Sequence, residues 1–194
     1  FGVTTAAVLA GSPALQAQQL EEIIVTAQRR TQSLQDVPLS IETVSGQDII
    51  RQGYRDLIGM SDFTPGVDIR PLLEDTRVTI RGFGTTGNNL TQEQAVPIFV
   101  DGVHNGRQEQ SKLAFMDVDR IEILKGPQPV FFGQNATSGA FNIISRKPTP
   151  EWEANVDGEV GRFNTQKLAA GAGGPITDAL GIRVAGKYET SAGY

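Results

Sequence analysis

Gly82-Phe-Gly84-Thr-Thr-Gly87 is a literal G-x-G-x-x-G, the spacing at which glycines let a backbone close around a pyrophosphate at a helix N-terminus. It follows a β-prone run, and Asp101 lies 19 residues after Gly82 at the end of another, where a ribose-binding acid belongs. The intervening segment decides against that chemistry. Only Asn88–Glu93 is available for the crossover helix, and its one apolar residue is Leu90. A crossover needs ten or more residues with an apolar face to cover the sheet. The glycines therefore read as turn residues. His104 is the single histidine, and G-x-S-x-G is absent, so neither a histidine metal cluster nor a Ser–His–Asp arrangement can be assembled. The absence of cysteine excludes thiol catalysis, disulfide scaffolds and cysteine–zinc sites. Asp117, Asp119 and Glu122 form a carboxylate cluster, but interleaved with Arg120 and Lys125 on a period-two run they read as a charge-balanced polar face. No catalytic residue, metal site or cofactor is expected, and the chain does not read as an enzyme.

Composition bounds the rest. A net charge of −5 supplies no basic field for nucleic acid. With 39% apolar and 20% charged residues the 194-residue chain can build a core, and its 22 Gly and 10 Pro announce many turns.

The elements that would carry these residues fall into two kinds. From about Gln35 to Pro148 the pattern is mixed. Val37–Val44 reads as a strand, Ser45 as an N-cap with Asp48 in the first turn, Gln47–Gln52 as a helix and Gly53 as its stop. Arg55–Met60 suggests a second short helix, and strands are expected at Arg77–Arg81, Ala95–Asp101, Arg120–Lys125 and Ala140–Arg146. Beyond this, Glu153–Gly161, Gln166–Gly173 and Gly181–Thr190 alternate apolar and polar residues, with turns at Arg162–Thr165 and Gly173–Asp178. Alternating strands of this length suit a transmembrane β-barrel, of which three strands would be only a beginning. A soluble antiparallel sheet fits the local pattern too.

The N-terminal residues Phe1–Ala10 are apolar and uncharged, followed by Gly11-Ser12-Pro13 and small residues up to Ala17. This reads as the tail of a secretory signal. Next comes Ile23-Ile24-Val25-Thr26, β-prone and flanked by Glu21-Glu22 and Arg29-Arg30. Such a strand, tethered by polar residues, is suited to adding itself to a partner's sheet edge; pairing within its own domain is the alternative.

At this point the residues are similar to a known family. Glu22-Ile23-Ile24-Val25-Thr26-Ala27 resembles the TonB box of TonB-dependent outer-membrane receptors. Val37-Pro-Leu-Ser-Ile41, Thr64-Pro-Gly-Val67, Val78-Thr-Ile-Arg-Gly-Phe-Gly84 and Phe99-Val-Asp-Gly-Val103 resemble successive segments of that family's plug domain. Arg120-Ile-Glu-Ile-Leu-Lys-Gly-Pro127, Phe132-Gly-Gln-Asn-Ala-Thr-Ser-Gly139 and Asn142-Ile-Ile144 continue it in order. Pro129-Val130, Gln134 and Ser138 depart from the family pattern in the loop that follows.

The resemblance implies an α+β plug domain followed by the first antiparallel strands of a transmembrane β-barrel of about 22 strands. Residues 1–17 are then a signal-peptide remnant, 18–34 the TonB box and linker, 35–148 the plug and 149–194 the start of the barrel. It implies active import of a scarce substrate, such as a siderophore–iron complex, across the outer membrane of a Gram-negative bacterium. The partners would be the periplasmic C-terminal domain of TonB, bound by strand addition at Glu22 to Ala27, outer-membrane lipid, and an extracellular ligand. Arg81, Arg120, Glu122 and Lys125 match motif positions that suggest contacts between plug and barrel wall. The loops carrying Phe83, Thr85, Asn88, His104, Arg107 and Gln108 are the expected substrate-facing apices. The competing expectation is a soluble periplasmic binding or adhesion module.

Overall fold

The computed structural model describes residues 24–25, 32–33, 39–72, 76–85, 94–106, 111–112, 115–133 and 135–192. The expected signal segment, and Glu22, Ile23, Thr26, Ala27, Asn88, Arg107 and Gln108, lie outside the described residues. The chain runs through β1 (Ile24–Val25), β2 (Gln32–Ser33), β3 (Ile41–Ser45), α1 (Gly46–Gln52), α2 (Leu57–Ser61), β4 (Val67–Pro71), β5 (Thr76–Ile80) and β6 (Phe83–Thr85). It continues with β7 (Ile98–Val100), β8 (Val103–Asn105), β9 (Val118–Lys125), α3 (Pro129–Phe132), β10 (Gly139–Ser145), β11 (Glu153–Gly161), β12 (Thr165–Thr177) and β13 (Leu180–Thr190).

The helix α1 forms where its end signals dictate. Ser45 Oγ accepts the Asp48 N–H at 3.1 Å, satisfying one of the orphan donors of the first turn. Gly53 closes the helix in the left-handed region, φ 69°, as a C-terminal glycine does. The second helix begins later than expected, at Leu57, because Asp56 accepts the Gly59 N–H at 2.8 Å and acts as its N-cap.

A five-stranded mixed sheet, order β3-β9-β10-β7-β8, faces a three-stranded meander, β4-β5-β6. Among the described residues only the β7–β10 pairing is parallel. Ile121 and Ile123 of β9, Phe141 of β10 and Ile98 of β7 point to one side, where they meet Ile69 and Val78 of the meander and Ile49, Leu57 and Met60 of the helices. The opposite face carries a smaller cluster, Phe99, Leu124, Phe132, Ala136 and Ala140, beneath α3 and the loop after it.

Five elements were not expected from the sequence: β2, α3, β4, β6 and β8. The strands β6 and β8 are short, and each is created by the turn that precedes it. Arg81 and Gly82 both take left-handed φ, 54° and 81°, between the paired Ile80 and Phe83. Asp101 and Gly102, φ 50° and 81°, do the same between Val100 and Val103. Turns with this handedness match the twist of the flanking strands, so the chain pairs back at once. Consequently Phe83, Thr85 and His104, expected in loops, sit in strands β6 and β8. Gly84 must be glycine here, since a Cβ would lie 2.1 Å from the Val78 carbonyl oxygen.

The last three strands form a separate antiparallel sheet, β11-β12-β13. β12 is longer than expected, because residues 173–177 continue the ladder and the turn is Asp178-Ala179. Along β11 the exposed Ala154, Val156 and Val160 alternate with the half-buried Asn155 and Asp157. In β13 Ile182, Val184 and Tyr188 point outward while Arg183, Ala185, Lys187 and Glu189 point in towards α1 and the β9 entry. The sheet thus wears its apolar side outside. No helix among the described residues is long and apolar enough to cross a membrane.

Candidate functional site

The polar surfaces of the α+β domain come together at two places. The first is the β9 face that carries Leu124. Here Glu122 is fully buried, and its carboxylate accepts from Arg120 Nε at 3.0 Å and from Asn142 Nδ2 at 3.0 Å. A buried charge needs such partners to be tolerated. Arg120 also reaches Asp119 at 2.8 Å, so the sequence expectation of an internally balanced charge run describes this part of the strand. At the strand's far end Lys125 Nζ pairs with Glu42 and donates to the Pro65 carbonyl at 2.8 Å. Arg81 donates from Nη2 to Ser40 Oγ at 2.8 Å and from its backbone to Gly66 at 2.6 Å. Arg81 and Lys125 thereby converge on residues 40–42 and 65–66, tying the edge strand β3 to the meander.

The expected apices fall on two different sheets. Phe83 is exposed, and the His104 ring packs, tilted by 42°, at 5.2 Å on Phe99, which in turn meets Phe132 edge-on. Thr85 is buried, and its hydroxyl accepts the Ala95 N–H at 2.7 Å, so its side chain does not face outward. That corrects its place among the exposed residues: the β6 pairing turns it inward. Ile24 and Val25 pair with Ser33 and Gln32 in a two-stranded antiparallel sheet, and Val25 is buried. The box-like strand is therefore paired within its own chain.

The second place is where the α+β domain meets the inward face of β11–β13. Arg183 approaches Asp117 with Nε and Nη2 at 2.5 and 2.6 Å, and Nη2 also donates to Asn155 Oδ1 at 2.8 Å. Arg55 pairs with Glu189 at 2.9 Å nearby. Between these contacts lies a cavity of about 320 Å³, bounded by Ile49, Tyr54 and Phe115 on one side and Lys167, Ala169 and Gly186 on the other. Asp117 is the residue that the sequence reading misplaced. The strand begins only at Val118, and Asp117, at φ 48°, turns its carboxylate away from the Arg120–Glu122 row. The available signal was Arg183 itself, a cation on the inward side of an alternating strand with no acidic residue near it in sequence on that side before Glu189.

An α+β domain whose polar flank packs on the inward side of an outward-apolar sheet defines a domain seated within a membrane β-structure. Residues 33–140 match the family model described as TonB-dependent Receptor Plug Domain, and the chain belongs to that family. It is 30% identical over 182 residues to the iron-regulated outer membrane virulence protein of Vibrio cholerae, an alignment covering 86% of this chain and 27% of that protein. It is 26% identical over 184 residues to the vitamin B12 transporter BtuB of V. cholerae, covering 92% and 29%. The crystal structure of the ferric yersiniabactin uptake receptor FyuA from Yersinia pestis superposes with a TM-score of 0.66 at 24% identity, over 76% of this chain and 24% of that one. The chain spans about a quarter of the length of these relatives. The fold is that of a receptor plug with adjoining barrel strands, and its place is the bacterial outer membrane.

Proposed function

We propose that residues 35–148 are the plug of a gated outer-membrane importer, that 149–194 open its barrel wall, and that 18–34 present a TonB box behind a signal segment. The carrying observation is the inverted sheet. Val156 and Val184 are 71% and 66% exposed on its outer side, while Arg183, Lys187 and Glu189 face the plug. A soluble periplasmic module would bury that apolar face; lipid accepts it. The outer membrane has no ATP, so energy reaches the plug mechanically. A strand added at Glu22 to Ala27 bears load through backbone hydrogen bonds. Capture by TonB competes with the cis pairing of Ile24–Val25 to Gln32–Ser33.

Arg81, Arg120 and Lys125 are assigned to the plug's wall-facing polar network, with the buried Glu122 orienting Arg120 within it, and the Phe83 and His104 strands with the adjoining Asn88, Arg107 and Gln108 to the ligand side. The substrate class is a bulky, scarce chelate such as a siderophore–iron complex, in keeping with the iron-regulated relative. No catalysis is assigned.

The test is radiolabelled ferric-siderophore uptake by the full-length receptor in iron-starved cells lacking their own receptors. Uptake of one complex from a hydroxamate, catecholate and mixed-ligand panel should need TonB and fall at least tenfold with Ile24→Pro, which removes an N–H from the added strand. Equal uptake with and without TonB, or recovery of the protein in the soluble periplasmic fraction, would overturn the reading.

A further inference from the structure

We infer that Asp117, Arg183 and Asn155 form a clasp that seats the plug against the strand sheet; its physiological consequence rests on the importer reading above. Three segments far apart in sequence are shaped for this one contact. Arg183 offers two nitrogens to the Asp117 carboxylate, and both side chains are almost closed off from water, 7% and 11% exposed. Paired geometry with little water around it distinguishes this contact from the exposed ion pairs elsewhere on the domain.

The backbone on each side is specialised for it. Asp117 is held in the left-handed region, sparsely populated for a residue with a side chain, and its own carbonyl accepts the Arg146 N–H at 2.9 Å. Just before it, Phe115 donates to the Arg55 carbonyl at 2.7 Å. Asp117 is thus fixed to the strand by which the chain leaves the domain. Across the interface, β12 carries glycine where Arg183 must pass. A Cβ on Gly173 would lie 2.8 Å from Arg183 Cβ, and one on Gly171 would lie 3.0 Å from both Arg183 Nη2 and Asn155 Oδ1. The two glycines cut a trough along which the arginine runs to its partner.

Strand register gives the clasp its meaning. In the antiparallel β3–β9 pair Ile41 faces Leu124 and Ser45 faces Arg120, while Asp117 precedes the Arg120 end. A pull arriving through residue 39 opens the Ile41–Leu124 end first and reaches the clasp end last. The clasp therefore anchors the part of the plug that a peeling edge strand leaves behind.

The test uses the full-length receptor in the outer membrane, with Asp117→Arg and Arg183→Asp made singly and together. The readout is killing by vancomycin, which an intact outer membrane excludes, at matched receptor amounts. Each single variant should raise sensitivity on the order of tenfold, because it leaves a like charge in a desolvated site. The double variant should return to within about twofold of wild type, since it restores the pair. Asp117→Asn, which keeps shape and one acceptor, should leak several-fold and serves where a reversal fails to accumulate. A variant lacking residues 39–146 calibrates a fully open barrel. Single variants, Asp117→Asn included, as tight as wild type beside a leaking deletion would overturn the clasp alone, as would a double variant as leaky as the singles. A deletion that leaks no more than wild type would overturn the importer reading and the clasp with it.

Discussion

The two halves of this chain solve burial in opposite directions. In the plug, Met60, Ile121, Ile123 and Phe141 are fully buried, and charged groups lie at the surface or, like Glu122, are buried with partners. In the β11–β13 sheet the apolar side chains are the exposed ones, with Tyr188 at 63%, and the charged ones point to the plug. The same period-two alternation therefore serves two solvents. What differs is the size of the inward residues: the strands turn Ala169, Gly171, Gly173 and Ala185 towards the plug, which leaves room for Arg183 and for the cavity beside it. The interface between the halves is polar and incompletely packed, whereas the plug keeps a tight apolar core of its own.

The sharpest way to break this contrast is to damage each half by its own rule. Phe141→Ala should cost about 3–5 kcal/mol, the range for a fully buried aromatic. The loss should appear as faster amide exchange across β9 and β10 in the detergent-solubilised full-length receptor, with β11–β13 unchanged. An effect spread evenly over both halves would mean that they fold as one unit. Val184→Arg should cost about 2–4 kcal/mol in lipid vesicles, as a cation placed on the lipid side of a barrel does, measured by reversible urea unfolding. On a water-facing sheet the same change would stay within about 0.5 kcal/mol, so a null result would remove the membrane reading of this face. Ser45→Ala, which deletes the α1 cap, should cost about 1 kcal/mol and leave the strand sheet untouched.

Much of this division was legible in the sequence because it rests on local rules. The Ser45 cap, the Gly53 stop and the alternation of Glu153–Gly161 each depend on neighbours within a few residues, and each appears where the pattern put it. Turn handedness was harder. Arg81-Gly82 and Asp101-Gly102 convert what read as loops into hairpins, because an L-residue at positive φ before glycine is a choice that alternation does not reveal. The clasp was harder still. Asp117 and Arg183 stand 66 residues apart, and the glycines that admit the arginine lie on a third stretch of chain. Nothing local distinguishes Asp117 from Asp119, which pairs with its neighbour Arg120. Only the folded register separates the two carboxylates.

The smallest expected effect compares two aspartates that hold arginines in different surroundings. Asp68 on β4 accepts from Arg70 Nε at 2.7 Å and Arg77 Nη2 at 3.1 Å, in a network open to water. The hydrogen bond from Arg70 is the main reason its carboxyl sits below the ordinary 3.8, with Arg77 adding to it against a modest opposing effect of burial. A carboxyl with a depressed folded-state value stabilises the native state above its unfolded value, and that contribution is lost as pH falls through the folded one. The plug's denaturant midpoint should therefore hold steady down to about pH 4 and then decline, with Asp68→Asn flattening the part of the decline that Asp68 supplies. The change should stay below about 1 kcal/mol and shrink further in 1 M salt, where screening acts within about 3 Å. Asp117 sits between the two halves, away from that salt. Ionic strength should thus weaken the Asp68 network while leaving vancomycin exclusion, which reads the clasp, unchanged. Salt-induced leakage through the wild-type receptor would show that the plug–strand contact is as wet as the plug's own surface.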